Sequence, residues 1–130
     1  MIGKCARAVS LLCDYMNKTP ETRSFVSGWE GRISFLLDGE SAFGVIFSKD
    51  GSVAFENTQV SDPDVIFYCD SETFFGVITG KIDQDEAFSN GLVEVRGSIF
   101  DSVRFRHAAE ITQLEHRTLF TVLRAVSRFT

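Results

Sequence analysis

An α+β fold is expected for this chain: a five-stranded, mainly antiparallel sheet covered on one face by helices, with an additional C-terminal helix. Three observations predict it. Apolar residues recur at helical spacing near the N-terminus, alternate with period two from Gly31, and return to helical spacing after Asp70. Strands come first and helices mostly later, which favours α+β over a regularly alternating α/β arrangement. A length of 130 residues, 44% of them hydrophobic and 24% charged, suits one water-soluble domain over residues 1–130.

Ile2, Ala6, Val9, Leu12, Cys13 and Met16 form the apolar face of a first helix, which should stop before Thr19 and Pro20. Ile33, Phe35 and Leu37, then Phe43, Val45 and Phe47, then Val53 and Phe55, each share one face of a strand. Asp38-Gly39 and Asp50-Gly51 between them are hairpin signals, so the three strands should form an antiparallel meander. A polar stretch from Asn57 to Asp64 leads to a fourth strand, Val65 to Cys69, with Val65, Phe67 and Cys69 on one side.

Asp70 or Ser71 should cap a helix bearing Phe74, Phe75 and Ile78 that ends at Gly80, and Asp83 a short helical turn ending at Gly91. Val93 and Val95 alternate with polar neighbours as a fifth strand, and Ser98 caps a helix carrying Ile99, Phe100 and Val103. Thr112 with Glu115 resembles a capping box opening a closing helix with Leu119, Phe120, Leu123 and Val126.

A net charge of -5 weighs against a nucleic-acid partner, which needs a concentrated basic face. Residues 30–94 carry 13 acids and 3 bases, whereas residues 96–128 carry 6 arginines and 3 acids, so basic surface belongs near the C-terminus. Cys5, Cys13 and Cys69 lack metal or redox spacing, which fits a reducing compartment, and Cys5 and Cys13 are read as apolar fillers. No apolar run is long enough to span a bilayer and no signal peptide is evident, so a cytoplasmic location is expected.

Catalytic motifs find little support. The Gly76 to Lys81 segment is one residue short of a phosphate loop and closes a helix instead of opening one. His107 and Glu110 would share a helix face, with His116 as a remote third group, but two groups make neither a metal site nor an acid/base site. No metal, cofactor or catalytic residue is expected, and a small enzyme using His107 and Glu110 is a lesser alternative. Arg117, Arg124 and Arg128 fall near one stripe of the last helix, where they suit transient contact with an anionic membrane or a solvated face.

The aromatic content is lopsided: 13 phenylalanines against one tryptophan and two tyrosines, so most aromatic surface has no polar handle. The runs Asp64 to Phe74, Ile78 to Asp83 and Ala87 to Gly97, in that order and spacing, resemble the sterol-carrier-protein type-two domain family. The likeness is firm from Asp64 to Val103, weaker from Trp29, and absent from the N-terminal helix and the tail beyond His107.

That resemblance implies an apolar tunnel between sheet and helices, holding a fatty acid, phospholipid or sterol-like lipid without chemical change. Phe74 and Ile78 would be its helix side, Phe88 the turn beside it, and Val93 and Val95 its floor. The strand phenylalanines Phe47, Phe55 and Phe67 would line it further, and Phe100 and Val103 would close it. Glu94 and Arg96 stand in place of the family's usual lysines, Asp83 is not followed by the common proline, and Phe43 replaces a frequent tryptophan. These departures weigh against acyl-CoA, whose phosphates need cations at the mouth, where Lys81, Arg96, Arg104 and Arg106 are the candidates. The rival reading on the same fold is a ligand-free homodimeric interaction module.

Overall fold

Residues 3–127 are described by a computed structural model of the chain, without the side chains of Val126 and Ser127, so Ile2 and Arg128 of the readings above lie outside them. In chain order the elements are α1 (Lys4–Lys18), α2 (Pro20–Val26), β1 (Gly31–Asp38), β2 (Phe43–Phe47) and β3 (Val53–Glu56). They continue with β4 (Val65–Asp70), α3 (Ser71–Ile78), α4 (Gln84–Ser89), β5 (Glu94–Gly97), α5 (Ile99–Glu115) and α6 (Arg117–Ser127).

The alternating phenylalanines make one five-stranded sheet, ordered β3-β2-β1-β4-β5. β1, β2 and β3 form the expected antiparallel meander, turning at Gly39 (φ 98) and Gly51 (φ 85), where a side chain would be strained. β4 lies parallel to β1, and β5 antiparallel to β4. The registers Phe35↔Phe43, Phe35↔Phe67 and Phe67↔Val95 run one apolar row across four strands. Phe35 stacks on Phe43 and Phe67 at centroid distances of 5.0 and 5.4 Å.

The helices cover this face. α1 buries Cys5, Val9, Leu12 and Met16. Its first turn has no side-chain cap of its own; Glu40, from the β1–β2 turn, accepts the amides of Cys5 (3.0 Å) and Ala6 (3.2 Å). Asp70 caps α3 through the Thr73 amide (2.9 Å), Asp83 caps α4 through Asp85 (2.8 Å), and Ser98 caps α5 through Asp101 (3.1 Å).

Two elements depart from the sequence reading. The chain does not run straight from α1 into β1: Pro20, well suited to the first turn of a helix, starts α2. Thr112 is no cap, because α5 continues to Glu115 and buries it. Its hydroxyl donates to the Ala108 carbonyl (2.9 Å) and lies 2.8 Å from the Thr22 hydroxyl of α2. The break comes at His116, whose Nε2 is 3.0 Å from Thr19 Oγ1 and whose ring rests 4.5 Å from Tyr15.

Candidate functional site

The orientation of α5 decides where an apolar ligand has room. Its buried side is Ser102, Phe105, Ala108, Ala109 and Thr112. Four of these are small or hydroxylated side chains, which let the helix approach closely and drive the Phe105 ring inward. That ring lies 5.6 Å from Phe35, 6.1 Å from Phe47 and 5.8 Å from Phe67. Phe105 therefore fills the space between sheet and helices.

A remnant of that space survives beneath α3, α4 and α5. It is lined by Phe67, Phe74, Ile78, Phe88, Phe105 and Arg106 among others, and its volume is about 20 Å³. Such a void holds about one water and not an acyl chain. Arg106 closes its outer side: its guanidinium lies 4.0 Å over Phe88 and donates to Asp85 (2.9 Å), while its Nε is buried without a protein partner among the described residues.

Eight of the ten residues expected to line a tunnel do face this interior. Phe47 stacks on Trp29 at 4.3 Å, half-buried Phe55 lies 5.8 Å from Phe43, and Phe67 meets Phe88 edge-on at 5.7 Å. Phe74, Ile78 and Val93 are buried, and Val95 packs half-buried against the same core. Phe100 and Val103 are corrections: they close nothing, because they occupy the side of α5 opposite Phe105. They are 82% and 52% exposed, and Ile99 beside them is 76% exposed.

On that outer side lies the candidate site, a groove between α2 and the first turns of α5. Phe25, Ile99, Phe100, Val103, Arg104 and His107 line it, and its volume, open to the outside, is about 700 Å³. That volume falls within the range of about 300–1,000 Å³ common to small-molecule sites. Phe25 projects from α2 against His107, with ring centroids 4.8 Å apart. The Arg104 guanidinium sits 5.9 Å over Phe25 and 5.3 Å over Trp29, a cation held against aromatic faces at the edge of the groove. Asp101, one turn earlier, turns inward and accepts from Trp29 Nε1 (3.1 Å).

Sequence reasoning placed Arg104 near a ligand mouth and missed Phe25, whose short helix it did not see. It also missed Phe105, whose signal was its spacing from Ser102, Ala108 and Ala109.

The other candidate groups are scattered. Glu110 accepts from Gln84 (2.8 Å), away from the groove that His107 lines, and His116 is engaged with Thr19. No group of three acidic, histidine or cysteine side chains suited to a metal ion occurs among the described residues. All three thiols are free. Burial raises Cys5 and Cys13 far above the ordinary thiol range; Cys69 is raised to about 11, first by burial and then by the charge of Asp70, so thiolate chemistry is suppressed. Arg117 and Arg124 line a smaller recess together with Glu110, so that side of α6 is mixed in charge. No helix among the described residues is long and apolar enough to cross a membrane.

The sequence profile of the SCP-2 sterol transfer family matches residues 11–110. The chain belongs to that family. Its match enters both regions where the sequence shows no likeness by eye, starting inside α1 and running past His107 along α5. No curated protein matches the chain.

Solved structures carry the family fold at low identity. A structure described as "UbiJ-SCP2 Ubiquinone synthesis protein" superposes with a TM-score of 0.64 at 17% identity, covering 82% of this chain and 94% of that one. Sterol carrier protein 2 gives a TM-score of 0.59 at 16% identity, covering 84% and 93%. Sterol carrier protein domain 2 of Helicoverpa armigera gives 0.59 at 18% identity, covering 84% and 87%. These likenesses establish the SCP-2 fold for this sheet and its covering helices.

Proposed function

We propose that this SCP-2 family chain binds and transfers a hydrophobic lipid without chemical change, and that the ligand is held in the groove between α2 and α5. The observation that carries the reading is the pairing of a filled interior with an open apolar groove, about 20 Å³ against about 700 Å³. Burying an aliphatic or ring-system ligand there needs no directional contact, since removal of apolar area from water yields ~25 cal/mol per Å². Among the described residues Arg104 and His107 supply the charged or hydrogen-bonding side chains of the lining, which suits a single-headed amphiphile such as a fatty acid or a lipid hydroxyl. A non-enzymatic role agrees with the dispersal of His107, Glu110 and His116. A cytoplasmic site of action is part of the same proposal.

The test is a native mass spectrum of protein purified without detergent, beside its denatured mass. A carried lipid appears as extra mass that is lost on denaturation and is absent from Val103→Arg, which places a cation in the groove. The sole tryptophan, Trp29, lies under Arg104 and should report ligand entry as a change in emission. An apo mass with no uptake from mixed lipids overturns the carrier reading. Uptake unchanged in Val103→Arg moves the ligand away from this groove.

A further inference from the structure

We propose that the rim of this groove is a membrane-docking face, with Ile99, Phe100 and Val103 entering the headgroup boundary of an anionic bilayer and Arg104 meeting lipid phosphate beside them. The proposal rests on the carrier reading for its purpose but on separate observations for its substance.

The first observation is where the chain leaves its apolar surface. Among the described residues Phe100 is the exposed phenylalanine; the others are buried or half-buried. Ile99 precedes it and Val103 follows within one turn, so three large apolar side chains meet water together. α5 cannot turn to hide them, because its opposite side is fixed by Phe105, by the Thr22–Thr112 contact, and by Asp101 on the Trp29 indole.

The second observation is charge. In a chain of net charge -5, this groove is lined by Arg104 and His107 and, among the described residues, by no carboxylate. The nearest acid on the same turns, Asp101, faces inward. An apolar rim beside a cation fits an interface whose headgroups are anionic and whose acyl chains lie just beneath. The recess shared by Arg117 and Arg124 contains Glu110 and lacks that complementarity. Because the groove opens at this rim, a lipid could pass between bilayer and protein without crossing water.

Co-sedimentation with vesicles of phosphatidylcholine alone, and with phosphatidylglycerol added, tests the idea. Expected is binding to the anionic vesicles that weakens with salt, falls roughly tenfold or more in Ile99→Ser/Phe100→Ser, and falls about fivefold in Arg104→Gln. Val122→Ser, on the exposed side of α6, should bind as wild type. Ile99, Phe100 and Val122 are exposed and Arg104 is half-buried at the surface, so circular dichroism should show the variants folded.

Wild-type protein that ignores both vesicle types, or a double variant that binds as well as wild type, overturns the proposal. A dimer that becomes monomeric in the double variant also overturns it, by making the rim an interface between two copies. Uptake of a fatty acid added from ethanol, read by native mass, separates the two readings. Uptake without vesicle binding leaves the carrier and removes the docking face; vesicle binding without uptake does the reverse.

Discussion

Single side chains set the character of this molecule, and Phe105 is the most consequential. It contacts three strand phenylalanines and occupies the space that a tunnel would need. Phe105→Ala should cost about 3–5 kcal/mol, the range for a buried phenylalanine whose site cannot collapse, read as a lower midpoint in urea. The same variant, combined with Val103→Arg, should regain lipid uptake by opening the interior.

A second residue-scale test concerns the Thr22–Thr112 pair. Thr112 donates its proton to the Ala108 carbonyl, so Thr22 must be the donor between the two hydroxyls. Thr112→Val leaves the Thr22 donor buried and unpartnered at a cost of about 1–3 kcal/mol. Thr22→Val/Thr112→Val should recover part of that loss, making a double-mutant cycle non-additive.

At the scale of elements, α1 depends on a carboxylate from another part of the chain. Partial burial works to raise the Glu40 carboxyl, but hydrogen bonds from the Cys5 and Ser71 side chains and the amides of Cys5 and Ala6 outweigh it and hold the group below the ordinary value of 4.5. The folded state thus binds the Glu40 proton less readily than the unfolded chain. Its contribution is present above the unfolded value and is lost as pH falls through the lower folded one. Glu40→Gln should lower stability by about 1 kcal/mol at neutral pH and flatten the acid limb of a stability-against-pH curve; an unchanged limb would assign that limb to other carboxylates.

Elements also differ in how far the sequence reveals them. Alternation at Ile33, Phe35 and Leu37, with Asp-Gly turns on either side of β2, announces the meander because period and turn chemistry agree. The sense in which α5 faces is concealed for the opposite reason. Its most apolar side, Ile99, Phe100 and Val103, is outside, and its inner side is built largely from small or hydroxylated residues around one phenylalanine. Hydrophobicity ranks the two sides backwards; only close approach of the helix to the sheet explains the choice. Thr112 misleads similarly, since a capping box and a buried threonine bonded to the preceding turn share one residue type.

For the whole molecule, the SCP-2 fold was legible from the ordered segments between Asp64 and Val103, while the accessible space was not. Fold follows from pattern, whereas an open groove depends on which of many phenylalanines reaches the middle. The sheet's interior and the groove outside α5 use the same residue type differently: interlocked rings fill the one, while Phe25 and Phe100 line the open side of the other.

The parallel pairing of β1 with β4 has a kinetic consequence. β1 sits at the sheet's centre, and its antiparallel partner β2 follows after one tight turn, whereas β4 arrives only after β3 and a long polar loop. Closing that larger loop costs entropy before the Phe35–Phe67 stack can repay it. In pulse-labelled hydrogen exchange during refolding, amides of the β1–β2–β3 meander should be protected before those of β4 and β5. Simultaneous protection of all five strands would show instead that the two halves of the sheet form in one step, with the phenylalanine row across them as the nucleus.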